Sequence, residues 1–281
     1  MVSRIMRTFK RLFLSHAQES KFPNTGAESL QYLVQRLQSY PKLTTGHVSV
    51  NGWDLEFVDS QALISCFDVV VVRRWNDFIA KNESPRIIDC GAHIGINVLH
   101  YKRMFPGSSV LAYEADRSIC NVLRRNIRTN MVKEVDVVEA AVWIENGHRN
   151  FRKDGADGGR LVEDGSGDGG DCVIVPTVRL ADVLKSRWVD FLKIDIEGAE
   201  DTVLADCRDS LYNVGQAVVE CHLTFGNMRR LATVIDVLHE SKFLVSVNSY
   251  GKWVDLAHRA ASSRQSDVES DQYALVCAWR D

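Results

Sequence analysis

Asp195 and Glu197 stand at the end of an apolar run, Phe191-Leu192-Lys193-Ile194-Asp195-Ile196-Glu197-Gly198-Ala199-Glu200. The run predicts a buried strand with Asp195 at its carboxyl end and Glu197 just beyond. In open α/β sheets ligands bind outside the carboxyl ends of strands, so these acids are candidates for proton transfer. Lys193 and Asp195 alternate with Leu192, Ile194 and Ile196 and share one face. A lysine inside so apolar a strand requires a partner. The plainer role, acids charging the N-terminus of the next helix, applies above all to Glu200. A second apolar run, Val218-Val219-Glu220-Cys221-His222, ends with Glu220 and His222 pointing the same way. Asp195, then His222, then Glu197 are the candidate general bases. A divalent metal on Asp195, Glu220 and His222 is an alternative, but the metal-free route is preferred and no metal is expected.

The binding element is Asp89-Cys90-Gly91-Ala92-His93-Ile94-Gly95, after one apolar run and before a helical one. Gly91 and Gly95 let the backbone turn tightly and approach a ligand, so a side chain at Gly95 is expected to intrude on it. The helix that follows offers free N–H groups to an anion. Glu114 ends the next apolar run, where an acid accepts hydrogen bonds from ribose hydroxyls. The loop lacks G-x-x-x-x-G-K-[ST], against a nucleotide triphosphatase, and lacks G-x-G-x-x-G, against NAD. It suits a ligand with an amino-acid end. Asp89 would face an ammonium directly or through water, and the N–H groups of Gly91, Ala92, His93 and Gly95 a carboxylate.

These residues must be held by strands and helices in alternation. From Arg86 the chain reads as strands at 86–89, 110–114, within 135–142, 191–195, 217–222, 243–247 and 273–279. Helices are expected at 96–104, 116–129 (with Asp116 as N-cap) and 227–241. This predicts an α/β fold, a doubly wound, mostly parallel seven-stranded sheet covered on both faces. Residues 1–84 read as an N-terminal helical and hairpin cap and 85–281 as a Rossmann-like domain. Within the cap, Leu30, Leu33, Val34 and Leu37 form a helical stripe. Asn51-Gly52 joins two strands in a type I′ hairpin, and 61–81 reads as a helix. The Gly- and Asp-rich stretch 154–171 has no periodicity and lacks the twelfth-position Glu of an EF-hand. Its readings are a lid near the site rim or a segment without a role.

The stretch from Arg86 to about Trp279 resembles the FkbM family of class I, Rossmann-like methyltransferases. The family's D-x-G-A-N-I-G stands here as Asp89 to Gly95, its F-E-P as Tyr113-Glu114-Ala115, and its K-I-D-x-E-G-A-E as Lys193 to Glu200. His93 replaces the usual Asn and Ala115 the usual Pro. The resemblance implies S-adenosyl-L-methionine as cofactor and methylation of a hydroxyl, often on a sugar or natural product. The expected partner is a small-molecule or glycan hydroxyl acceptor. The rival readings are an NAD-dependent oxidoreductase and a non-catalytic binding protein on the same fold.

Composition agrees with a soluble enzyme: 281 residues, 45% hydrophobic, 25% charged and a formal net charge of −3. Nothing in this balance favours nucleic acid, which requires a basic excess. Seven cysteines without zinc spacing read as reduced thiols, so a cytoplasmic location is expected. No apolar stretch is long enough to span a bilayer. Residues 1–20 carry apolar positions at helical spacing among basic ones. They read as a helix docked on the domain, or as one making weak membrane-surface contact. Nothing in the sequence sets an oligomeric state.

Overall fold

Beyond their first residues, where Arg86 and Asp190 reach solvent, strands β3 (Arg86–Cys90) and β10 (Val189–Ile194) are buried on both faces, and there both faces are apolar but for Asp89 and Lys193. They form the centre of a seven-stranded sheet in a computed structural model that describes residues 26–162, 171–223, 228–251 and 272–280. The other strands are β4 (Ser109–Glu114), β5 (Val135–Glu139), β11 (Val214–Leu223), β12 (Leu244–Gly251) and β13 (Gln272–Trp279). The order is β12-β13-β11-β10-β3-β4-β5, with β13 antiparallel to both its neighbours and every other pairing parallel. The chain therefore winds outward one way from β3 and the other way from β10. That leaves a crevice at the carboxyl ends of these two strands.

The two faces have separate cores. Ile88, Cys90, Leu192 and Ile194 pack with α5 (Leu180–Ser186), α6 (Glu200–Asp206) and α7 (Arg229–Glu240). Ile87, Phe191, Val110 and Ala112 pack with α3 (Ile96–Met104) and α4 (Arg117–Thr129). Alternation puts Asp89 and Lys193 on this second face. Asp116 caps α4 as expected, its carboxylate accepting from the N–H groups of Ser118 and Ile119.

The N-terminal elements build a third core. Helix α1 (Gly26–Leu37), the hairpin β1 (Gly46–Val50) and β2 (Trp53–Phe57), and α2 (Ser60–Phe67) bury Leu33, Leu37, Leu55, Phe57 and Phe67 against residues of α3 and α4. Asn51 and Gly52 both take positive φ, the type I′ geometry. Helix α4 stitches the hairpin's edge. The Asn126 amide donates to Glu56 O and accepts from Glu56 N, Asn130 does the same for Asp54, and Arg125 grips the Glu56 carboxylate at 2.6 and 2.7 Å.

Three readings change. The helix expected over 61–81 ends early: α2 gives way to a π-helical turn at Asp68–Val72, and Arg74 takes φ +56. Consecutive β-branched valines are poor helix formers, and the Arg73 N–H reaches back to Asp68 O. The residues beyond serve the domain. Phe78 stacks on Phe191 at 4.3 Å, Asn76 bonds Asn97 and Asp77 bonds His100. Second, β5 ends at Glu139 and the chain enters another sheet. That sheet, of β6 (Ala141–Trp143), β7 (Gly147–Arg152), β8 (Arg160–Leu161) and β9 (Cys172–Arg179), was not expected. Charged residues in β7 and Pro176 in β9 mask the strand signals. Third, the Gly/Asp-rich stretch contributes β8; its residues 163–170 lie outside the described ones, as do 1–25. No described helix is long and apolar enough to cross a membrane.

Candidate active site

The crevice opens into a cavity of about 790 Å³. Its wall includes Gly91, Ala92 and His93 from the loop after β3, Glu114 after β4, Lys193 to Gly198 around the end of β10 (except Ile194), and Glu220 and His222 from β11. The sequence candidates Ala92, His93, Gly91, Glu114, Asp195, Glu197 and His222 are thus brought together from four strands.

Lys193 is a charged part of this wall, only 2% exposed. Its ammonium is 3.1 Å from Asp195 Oδ2 and 3.4 Å from Asp89 Oδ1, and it donates to the Gly91 carbonyl at 3.1 Å. Burial opposes its charge, yet the Asp195 and Asp89 carboxylates outweigh this and hold its pKa well above the ordinary lysine value. Burial pushes Asp89 the other way, up from the carboxylate range, against the pull of Lys193. Asp89 is 0% exposed and is not part of the cavity wall. The expected contact of Asp89 with a ligand ammonium is therefore corrected: Asp89 acts through Lys193, which ties the glycine loop to the acidic strand end.

Gly91 takes φ +80, and a side chain there would strike the Asp195 backbone carbonyl. Gly95 takes φ +95, and its added Cβ would lie 2.5 Å from Leu123 Cδ1 on α4. Gly95 is absent from the cavity wall. Its demand for glycine comes first from that φ and second from the close approach of Leu123.

Glu114 accepts from His93 N at 2.9 Å and Asp116 N at 2.8 Å. It is 8% exposed, and burial raises its pKa to about 7 in spite of those bonds. Each carboxylate oxygen keeps a lone pair for the cavity. The His93 side chain faces the cavity with Nε2 buried and unpartnered; burial lowers its pKa, opposed by Asp157 and Asp195.

The proton-handling candidates form one cluster. His222 Nε2 lies 3.1 Å from Glu197 Oε1 and 3.8 Å from Asp195 Oδ1; Nδ1 lies 3.2 Å from Glu200 Oε1. The Tyr273 ring stands edge-on to the imidazole at 5.2 Å. Burial by itself would depress the His222 pKa, but Glu197, Glu200 and Asp195 outweigh it and push it up to about 12. Burial raises Glu197 to about 7, against the pull of His222. Glu197 itself takes φ +59, and Glu200 Oε1 accepts from Ile196 N and Gly198 N, which fixes this sharp turn. Glu200 therefore does more than charge the first turn of α6: it also orients His222. Both His222 nitrogens are engaged by carboxylates, so the ring is a poor proton acceptor. That corrects its ranking among the bases.

Several cavity residues were not named individually from the sequence. Ser65, Cys66, Val69 and Val70 come from α2 and the π turn, and Asp154, Asp157 and Arg160 from the Gly/Asp-rich stretch. Arg230 of α7 reaches the wall and donates to Gly198 O at 2.5 Å. The rim position expected for the stretch holds for its described part, 154–162. All seven cysteines are free thiols.

The methyltransferase FkbM domain matches residues 89–245 of the chain. The methyltransferase sdnD of Sordaria araneosa is 24% identical over 218 residues, 66% of this chain and 83% of that protein. Among solved structures, methyltransferase FkbM from Methylobacillus flagellatus is 15% identical, with a TM-score of 0.45 over 89% of this chain and 60% of its own. TYW2 of M. jannaschii, solved in complex with AdoMet, is 12% identical, with a TM-score of 0.48 over 86% of this chain and 89% of its own.

Proposed function

This chain belongs to the FkbM family of methyltransferases, and from that premise we propose that it moves a methyl group from S-adenosylmethionine to a hydroxyl oxygen of a small-molecule or glycan acceptor. The observation that carries the hydroxyl assignment is the convergence of Asp195 and Glu197 on one stretch of cavity wall, beside the glycine loop. A hydroxyl is a weak nucleophile until its proton has somewhere to go, and carboxylates at that wall supply the acceptor.

The residues fit the cofactor by charge and by donor type. Seven carboxylates line the cavity (Glu114, Asp116, Asp154, Asp157, Asp195, Glu197, Glu220) against four lysine or arginine side chains (Lys42, Arg160, Lys193, Arg230). Such a surface favours a ligand bearing a sulfonium and an ammonium, and repels a pyrophosphate, which weighs against NAD. Glu114 would take the ribose hydroxyls, and the Gly91–His93 segment with His93 Nε2 the amino-acid end. When bound, S-adenosylmethionine supplies an electrophilic methyl on a sulfur that leaves as a neutral thioether.

The chain's own work is positioning and proton transfer. Lys193 fixes the Gly91 carbonyl and the Asp195 carboxylate together. Asp195 and Glu197 are the proton acceptors. His222, with both nitrogens engaged, holds Glu197 in place. Residues of α2 and the π turn also line the cavity and are assigned to the acceptor.

Calorimetric titration with S-adenosylmethionine, S-adenosylhomocysteine and NAD tests this reading. Micromolar binding of the sulfur compounds without NAD binding is expected. If neither sulfur compound binds, the function is wrong, and a non-catalytic protein on this fold takes its place.

A further inference from the structure

We infer that Asn76 and Asn97 receive the amino-acid end of the cofactor, Asn76 Oδ1 accepting from its ammonium and the Asn97 amide donating to its carboxylate. This assignment rests on the methyltransferase reading of the cavity. It supplies a partner for the ammonium, whose expected one, Asp89, is turned to Lys193.

Asn76 is 2% exposed and contributes to the cavity wall. Its Nδ2 donates to Asn97 Oδ1 at 3.0 Å, while its own Oδ1 is buried with no hydrogen-bond partner among the described residues. A buried carbonyl oxygen without a donor is uncommon and costly. The turn that carries it offers no relief. Arg74 takes φ +56, its Nε donates to Asp77 Oδ2 at 2.6 Å, Asp77 Oδ1 bonds His100 of α3 at 2.7 Å, and Phe78 stacks on Phe191. The backbone on either side of Asn76 is therefore pinned. Lys193 offers no relief either, because its ammonium is directed at Gly91 O, Asp89 and Asp195. A donor on a ligand is the source that remains.

The place of the pair identifies that ligand group. Asn97 is the second residue of α3, just past Gly95, and it also lines the cavity. Helical side chains lean toward the N-terminus of their helix, so Asn97 covers the turn where the glycine loop enters α3. The two amides thus stand beside the loop N–H groups assigned to the carboxylate. In an α-amino acid the ammonium and the carboxylate share one carbon. Whatever takes the first must neighbour whatever takes the second.

The chemistry of the pair agrees. The bond between the amides uses a donor of Asn76 and the acceptor of Asn97. It leaves an acceptor at Asn76 Oδ1 and, among the described residues, a donor at Asn97 Nδ2. One free acceptor next to one free donor is the complement of a zwitterion. A neutral oxygen also takes an ammonium without adding a further charge to a wall already rich in carboxylates.

The test is calorimetric titration of the full chain with S-adenosylhomocysteine and with methylthioadenosine, which keeps the adenosine and the sulfur but lacks the amino-acid end. Wild type, Asn76→Leu and Asn97→Leu are compared, and unfolding curves check that both variants fold. S-adenosylhomocysteine is expected to bind about tenfold or more weakly to each variant, and methylthioadenosine within about twofold of wild type. Retention of S-adenosylhomocysteine by Asn76→Leu, or an equal loss of both ligands, overturns the assignment and leaves the methyltransferase reading standing. The wild type alone gives a second measure that needs no variant: it should bind S-adenosylhomocysteine at least about tenfold more tightly than methylthioadenosine, and equal affinities overturn the assignment. A wild type that binds neither ligand removes the methyltransferase reading, and this assignment with it.

Discussion

Lys193 Nζ lies 3.4 Å from Asp89 Oδ1, across the seam between β10 and β3, where the two residues are register partners. The same ammonium donates to Gly91 O and pairs with Asp195. One buried cation thus joins the glycine loop to the acidic end of β10. The motif around Gly91 and the motif around Asp195 are about a hundred residues apart in the chain and one side chain apart in space.

Lys193→Met removes that joint and leaves Asp89 buried without a cation. Breaking one partner of a buried pair typically costs about 3–5 kcal/mol. Urea unfolding is expected to show a loss of that size, partly recovered in Lys193→Met/Asp89→Asn. A loss below about 1 kcal/mol for the single variant would mean that the pair does not matter to the fold.

Asp195→Asn keeps the shape of the cavity wall and removes a proton acceptor. Turnover is expected to fall by about 10²-fold or more, with cofactor affinity changed much less. Steady-state kinetics beside a binding titration read the two separately. Unchanged turnover removes Asp195 from the catalytic assignment.

Gly95→Val drives a branched side chain toward Leu123 from a backbone at φ +95. Strain and overpacking together predict destabilisation of about 3 kcal/mol or more. Leu123→Ala in the same chain is expected to return part of the overpacking share and none of the backbone share. Thermal unfolding of the single and double variants measures this. A Gly95→Val protein of normal stability that simply fails to bind cofactor would restore the ligand-contact role.

Glu114 has a folded-state pKa of about 7 against an ordinary value of 4.5, because burial outweighs its two backbone bonds. Between those values the folded protein binds more proton than the unfolded chain. Its stability contribution therefore falls as pH rises from about 4.5 to about 7, by on the order of 3 kcal/mol in the ligand-free protein. Glu114→Gln should flatten the pH profile over that window. Unfolding free energies at pH 5 and pH 8, compared between wild type and variant, isolate this group. Equal pH slopes would contradict the assignment.

Much of this molecule was legible in the chain because its signals are local. Asn51-Gly52 needs only its own φ preference to make a hairpin turn. Asp116 needs only its neighbours' N–H groups to cap α4. The apolar runs at β3, β4, β10 and β11 announce a doubly wound sheet, and runs ending in Asp or Glu locate its ligand edge. The acids and glycines of the site were nameable for that reason.

Their roles were set by partners that sequence spacing does not reveal. Asp89 and Gly95 read as ligand contacts because loop position alone suggests it; folding gives Asp89 a partner in Lys193 and sets Gly95 at φ +95 beside Leu123. His222 looked like a base until Glu197 and Glu200 closed on its two nitrogens. The second sheet was hidden because its strands carry charge and a proline at positions that only pairing with distant strands makes acceptable. Sequence determined which groups stand at the strand ends. Tertiary structure decided which of them face the cavity and which face one another, because burial and charge pairing are properties of neighbours brought together by folding.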